Sequence, residues 1–278
     1  MRQVSSVVAG GGSLWIGGPP AAGKTTVARA IARRYGLRLY SADTRTWEHR
    51  DRALAAGSRP AERFESLEPS RRWEQPANAL LEMALQTERG SMVLEDLWAM
   101  PPSPLVLAEG STLPAAAVGA GVEASRVVWL MPTEAFQEAQ FTARRLGDGP
   151  AALYRLLRRR AEADVRAFGL PSVTVDGSRG LLETMASVEH LLSAGLAGGP
   201  HAVTLGDRRQ LLREMNLAVV VQVQGYYGRP WASGTADGVR QVFVCECAGA
   251  ECDLEVEATV ADAAAAPVLA AGHEARDE

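Results

Sequence analysis

Short apolar runs alternate with longer amphipathic stretches over the first two thirds of the chain. The apolar runs are Ser13-Leu-Trp-Ile16, Leu37-Arg-Leu-Tyr40, Leu105-Val-Leu-Ala108, Arg126-Val-Val-Trp-Leu-Met131 and Ser172-Val-Thr-Val175. They are nearly continuous rather than alternating, as expected of strands buried on both faces. Helical spacing fills the intervals. Val27, Ile31 and Tyr35 mark a helix over Thr25 to Tyr35, and Leu80, Leu81, Ala84 and Leu85 mark one over Pro76 to Arg89. A short helix is expected over Met92 to Met100 and another over Thr133 to Arg145. Leu153, Leu157, Ala161, Val165 and Phe168 give a further helix, and Leu182, Met185, Val188 and Leu192 the last of this series. Thr44 to about Arg72 is polar, with alternating charges and helix formers. Strands alternating with helices predict an α/β fold, a five-stranded parallel sheet covered on both faces. Ligands of such sheets sit beyond the carboxyl ends of the strands. The candidate site is therefore Lys24, Asp43, Glu109, the segment after Pro132, and Asp176.

Beyond this region the pattern changes. Residues 196–206 are rich in Gly, Ala and Pro and read as a linker between a domain of residues 1–195 and a small α+β domain of residues 207–278. In the latter, Leu212, Met215, Val219, Val223 and Tyr226 follow helical spacing, and Arg229-Pro-Trp231 breaks the helix. Gln241 to Val244 reads as a strand, and Asp253-Leu-Glu-Val-Glu-Ala as a half-exposed one.

Composition narrows the class. An apolar fraction of 47% with 22% charged residues describes a globular chain large enough for a real core. A net charge of −4 gives no global attraction to nucleic acid or anionic lipid, and the acidic stretch Glu251 to Glu257 argues further against nucleic acid. No apolar run approaches the ~20 residues of a membrane span. The apolar part of Met1-Arg-Gln-Val-Ser-Ser-Val-Val is too short for a signal peptide. A cytoplasmic location is expected.

The most informative residue is the only lysine among the 29 basic side chains, Lys24. It stands in Gly18-Pro19-Pro20-Ala21-Ala22-Gly23-Lys24-Thr25, of the form GxxxxGK[ST], between a predicted strand and a predicted helix. That context is what the motif requires. The backbone of Gly18, Pro19, Ala21, Ala22 and Gly23, continued by Thr26, can wrap phosphates. The Lys24 ammonium is a compact charge for the β- and γ-phosphates, and the Thr25 hydroxyl can ligate Mg²⁺. The alternative is a glycine-rich turn that binds nothing. A guanine-specific Asn-Lys-x-Asp motif is impossible without a second lysine, and no strand ends in paired Asp-Glu.

On these residues the chain resembles the small P-loop kinases of the nucleoside/nucleotide, shikimate and chloramphenicol phosphotransferase type, over roughly residues 13 to 193. The resemblance implies ATP and Mg²⁺ as cofactors and a small-molecule hydroxyl as phosphate acceptor. It implies that Asp43 touches that hydroxyl as base or orienter, that Glu109-Gly110 closes the third strand, that lid arginines lie between Arg144 and Arg160, and that Asp176-Gly-Ser-Arg179 cups the adenine. Each position has a plainer alternative. Asp43 could cap a helix or form a salt bridge, Glu109 could pair with an arginine rather than hold Mg²⁺ through water or accept from the substrate, and Arg179 could cap a helix entry rather than stack on adenine. Arg45, His49 and Arg50 could hold an acceptor or form a solvated charged face, as could Arg155, Arg158, Arg159 and Arg160.

All three cysteines fall in Cys245-Glu-Cys247-Ala-Gly-Ala-Glu-Cys252, where a hairpin can wrap a metal. His273 is the candidate fourth ligand of a structural Zn²⁺ site. Such a site would staple a domain too small to hold itself together. Buried structural thiols are the alternative, while an odd count disfavours disulfides. The segment resembles a small C-terminal module of bacterial proteins of unassigned role. It could cover the active site, pair two copies of the chain as a homodimer, or merely dock. Two functions follow as expectations: an ATP-dependent kinase of a nucleoside, sugar-like metabolite or antibiotic, or a nucleotide sensor whose zinc module binds a partner.

Overall fold

A computed structural model describes residues 12–249 and 252–275. The N-terminal eight residues weighed as a signal peptide, and Glu251 of the acidic stretch, lie outside the described residues. The chain runs β1 (Leu14–Gly17), α1 (Lys24–Tyr35), β2 (Arg38–Ser41), a 3-10 turn (Ala42–Arg45), α2 (Thr46–Ala55), α3 (Arg59–Ser66), α4 (Pro69–Arg72), α5 (Ala77–Met83), α6 (Gln86–Ala99) and β3 (Val106–Glu109). It continues through β4 (Val127–Pro132), α7 (Glu134–Ala143), α8 (Asp148–Phe168), β5 (Ser172–Val175), α9 (Leu181–Leu191) and α10 (Ser193–Gly198). It closes with α11 (Leu205–Tyr227), β6 (Arg240–Val244), β7 (Glu255–Thr259) and α12 (Val260–Ala265).

β1 to β5 form one all-parallel sheet in the order β2-β3-β1-β4-β5. β1 lies between β3 and β4, where the order of strands reverses, and sheets of this kind bind their ligands beyond the carboxyl end of the strand at that point. The two-residue period of the strands divides the core. Leu14, Ile16, Leu107, Val128, Leu130 and Val173 face Val27, Ala28 and Ile31 of α1 and Met185 and Val188 of α9. Trp15, Tyr40, Val106, Ala108, Val127 and Trp129 form the opposite core with Val93 of α6.

Four expectations are corrected. The helix expected over Pro76 to Arg89 is two helices, because Leu85, fully buried, adopts a left-handed φ of 56° between α5 and α6. The polar stretch Thr44 to Arg72 folds as α2, α3 and α4 and buries His49, Arg50 and Arg72. The expected linker is packed: Leu196 of α10 is buried, the Pro200 carbonyl accepts from Leu105 N at 2.7 Å, and Ala202 N donates to the Gly36 carbonyl at 2.9 Å. Residues 207–278 are not tethered apart, since Leu212 and Met215 of α11, Val244 and Ala248 join the core under β1.

The hairpin β6–β7 is antiparallel and covers a small core of Val220, Phe243, Val260, Ala263 and Val268. Asn216, buried in α11, fixes its end. Its amide nitrogen donates to the Val244 carbonyl at 2.8 Å and its oxygen accepts from Val244 N at 3.0 Å. After α11 the chain clasps α2–α4. Trp231 Nε1 donates to Glu65 at 2.5 Å, Arg229 pairs with Asp51 at 2.6 Å, and the Arg72 guanidinium stacks 3.7 Å from the Trp231 ring. No helix among the described residues is long and apolar enough to cross a membrane.

Candidate functional site

β1 ends in a loop that only glycine permits at its first position. Gly18 has φ 126°, and a Cβ there would lie 2.2 Å from the Leu130 carbonyl oxygen. Gly23, also left-handed at φ 79°, precedes α1; a Cβ there would meet nothing within 4 Å, so the backbone is open on that side. α1 begins without a side-chain cap and without an acidic residue in its first turn. Its first N–H groups thus lack internal partners at the positive end of the helix dipole, an arrangement suited to an anion. The loop is supported from behind. Ala21 packs on Phe141 and Ala151, and the buried Gln137 of α7 donates to the Pro20 carbonyl at 3.1 Å.

Lys24 is buried and its ammonium donates to the Pro19 carbonyl at 2.8 Å. Burial pushes its pKa down and Arg144 adds to that, against the pull of Glu109 and Asp43. Glu109, fully buried at the end of β3, accepts from Ser41 Oγ and from the Thr25 hydroxyl. Burial and the nearby Asp43 push its pKa up, while Lys24 holds it down. Its Oε2 has no hydrogen-bond partner among the described residues. A hydroxyl joined to a carboxylate with a spare oxygen is an oxygen donor set of the kind Mg²⁺ prefers. The arrangement follows from the topology: Ser41 pairs with Glu109 across β2 and β3, and Ile16 pairs with Glu109 across β1 and β3.

Asp43 is exposed on the 3-10 turn after β2. Its charge reaches Lys24, Glu109, Arg89 and Tyr154. The structure brings Lys24, Thr25, Asp43 and Glu109 near one another and adds Arg89, which pattern reading did not single out. Arg89, buried on α6, donates to the Ala42 carbonyl at 2.5 Å, and its Nε has no partner among the described residues. Its only trace in the sequence is a basic residue beside Glu88 at the end of a predicted helix. Arg144, exposed after α7, acts electrostatically on both Lys24 and Tyr154.

Other expected site residues lie elsewhere. His49 is fully buried and its Nε2 bonds Asp96 at 2.8 Å, beside Tyr40 at 2.7 Å and Arg52 at 2.7 Å from the same carboxylate. It is a core histidine. Arg45 pairs with Glu48 at 2.6 Å, and Arg50 donates to the Met83 carbonyl at 2.8 Å beneath the Phe64 ring. Arg155 holds Glu138 with two bonds of 2.6 and 2.7 Å, and Arg158 bridges Glu134 and Glu162, so these two are helix-face ion pairs. Asp176 caps its own turn, accepting from Ser178 N at 2.9 Å. Arg179 turns back to the Thr174 carbonyl at 2.8 Å and to Ser187 of α9.

The second cluster is at the hairpin. Sγ of Cys245, Cys247 and Cys252 lie 3.5, 3.2 and 3.6 Å from His273 Nδ1, and the four donor atoms lie within 4.8 Å of one another. A tetrahedral Zn²⁺ with the usual Zn–S and Zn–N bonds has S···N edges of about 3.6 Å. Backbone N–H groups support the sulfurs: Gly249 N reaches Cys247 Sγ at 3.4 Å, and Ala270 N reaches Cys245 Sγ at 3.3 Å. These four residues could hold a metal ion.

No protein-family model matches this chain, and no curated protein matches it. Its chemistry rests on the geometry above.

Proposed function

We propose that this protein is an ATP-dependent phosphotransferase, a P-loop kinase that phosphorylates a hydroxyl of a small molecule. The observation that carries the reading is the uncapped start of α1 after a left-handed Gly23, with Lys24 beside it and Asp43 and Glu109 converging on the ammonium. The loop from Gly18 to Thr26 wraps the phosphates, and Lys24, supported by Arg144, neutralises charge on the transferring phosphoryl group. Thr25 and Glu109 would hold Mg²⁺, which would supply neutralisation of the charge that develops on the phosphoryl group. Asp43 accepts the proton of the acceptor hydroxyl. The acceptor oxygen bonds to the γ-phosphorus as the bond to the bridging oxygen breaks, and ADP leaves. Thr44 to Met100, which follows Asp43, would supply the acceptor side, with the buried Arg89 close to Asp43. The Cys245, Cys247, Cys252 and His273 set holds a structural Zn²⁺, which requires reduced thiols and so suits the cytoplasm.

One observation favours a second reading as a nucleotide sensor: the hairpin that bears the cysteines is fastened to α1 itself. Asp43→Asn separates the two. For the kinase, transfer of label from ATP to a metabolite pool falls about 100-fold or more, while nucleotide affinity stays. A protein that binds ATP yet labels no metabolite, with or without Asp43, is the sensor.

A further inference from the structure

Helix α1 carries the phosphate loop at one end and the cysteine hairpin at the other. Arg33, in its last turn, donates through Nη2 to the Cys252 carbonyl and through Nη1 to the Leu254 carbonyl at 3.3 Å. One turn earlier, Arg29 pairs with Glu255 at 3.7 Å. Ala248, left-handed at φ 56° between Cys247 and Gly249, is buried in the same cluster as Val27, Ala28, Ile31 and Ala32 of α1. Arg208 of α11 completes the grip by donating to the Arg33 carbonyl at 3.3 Å. A helix of 12 residues is a rod about 18 Å long, so a shift at Arg33 reaches the N–H groups that follow Gly23.

The carbonyl that Arg33 holds belongs to Cys252, one of the four candidate metal ligands. Its direction depends on whether the cysteine is drawn into a tetrahedral site. A small metal knuckle takes its shape from the ion, because ligand sites of this kind are ordered by metal binding. We propose that metal occupancy of the Cys245, Cys247, Cys252 and His273 cluster sets the position of α1 and thereby the affinity of the phosphate loop, with Arg33 as the positioning residue that joins the two. The proposal rests on the nucleotide-binding reading but needs no particular acceptor. Coupling between binding sites is reciprocal, so Mg·ATP tightens Zn²⁺ by the same factor that Zn²⁺ tightens Mg·ATP.

The test uses the full chain. Calorimetry gives the Kd for Mg·ATP of zinc-loaded protein and of protein stripped with a zinc-selective chelator in excess Mg²⁺. Competition against a chromophoric chelator gives zinc affinity with and without Mg·ATP. The expected result is at least a 5-fold loss of nucleotide affinity on stripping, and the same factor in the reciprocal measurement. Since stripping could unfold the hairpin, the deciding arm keeps the metal. Zinc-loaded Arg33→Ala should retain one zinc per chain and an unchanged circular dichroism spectrum, bind Mg·ATP several-fold more weakly, and show a cross-effect below about 2-fold. Equal Mg·ATP affinity in loaded and stripped folded protein overturns the proposal, as does full coupling in Arg33→Ala. Absence of Mg·ATP binding in every form removes the nucleotide reading itself and the proposal with it.

Discussion

The strand-end site and the cysteine hairpin are built on opposite plans. The groups around Lys24 come from the start of α1, the end of β2 and the turn after it, the end of β3, and α6, far apart in sequence, and are brought together by a sheet whose two faces are both packed. They hold buried charge before any ligand arrives, at a cost visible in the depressed Lys24 and the raised Glu109. The hairpin gathers its four donors from one short segment over a core of a few apolar side chains. A large core can carry an unfavourable site, whereas a small one needs its ligand to stay folded.

The largest effect should therefore come from removing a metal ligand. Cys252→Ser should abolish the proposed zinc binding, which in small structural sites is worth about 10 kcal/mol or more. Hydrogen exchange should then show β6, β7 and α12 unprotected while β1, β3 and β4 keep their slow amides. Collapse of both regions together would erase the contrast.

A smaller effect tests how the C-terminal segment is clasped to α2–α4. Trp231 lies against Arg72, Trp47 and Tyr226 and donates to Glu65. Trp231→Ala should cost about 2–3 kcal/mol in urea unfolding, below the figure for a fully buried tryptophan because its ring is only part-buried. A loss under half a kcal/mol would make the clasp ornamental.

The smallest effect concerns Asp96. Burial works against its charged form, but bonds from His49, Tyr40 and Arg52 hold its pKa down to about 2, from 3.8. A depressed carboxylate contributes stability above its unfolded pKa, and that contribution is lost as pH falls toward the folded value. Asp96→Asn should cost about 1–2 kcal/mol at pH 6, discounted for partial exposure, and the difference from wild type should shrink between pH 4 and 2. A penalty constant down to pH 2 would contradict this ion cluster.

These particulars mark what was legible beforehand. The five strands were readable because burial on both faces leaves continuous apolar runs, and Lys24 and the cysteines stood out because each lies in a short contiguous motif. His49 and Arg50 read as possible acceptor ligands or a solvated face because Asp96 and the Met83 carbonyl, which bury them, arrive on later helices. Residues 196–206 read as a tether because their anchoring uses backbone atoms of Pro200 and Ala202, which leave no side-chain signature. Arg89 was invisible for the same reason as Asp96: its role exists only once α6 folds against the end of β2.

The central claim is that the loop before α1 binds a nucleotide triphosphate through Lys24. Calorimetric titration of Mg·ATP into zinc-loaded protein, beside Lys24→Ala, tests it directly. One saturable site is predicted for the wild type, weakened about 100-fold in the variant, as loss of a charge-assisted contact of 2–3 kcal/mol requires. No heat of binding in the wild type, or equal affinity in the two proteins, would contradict it.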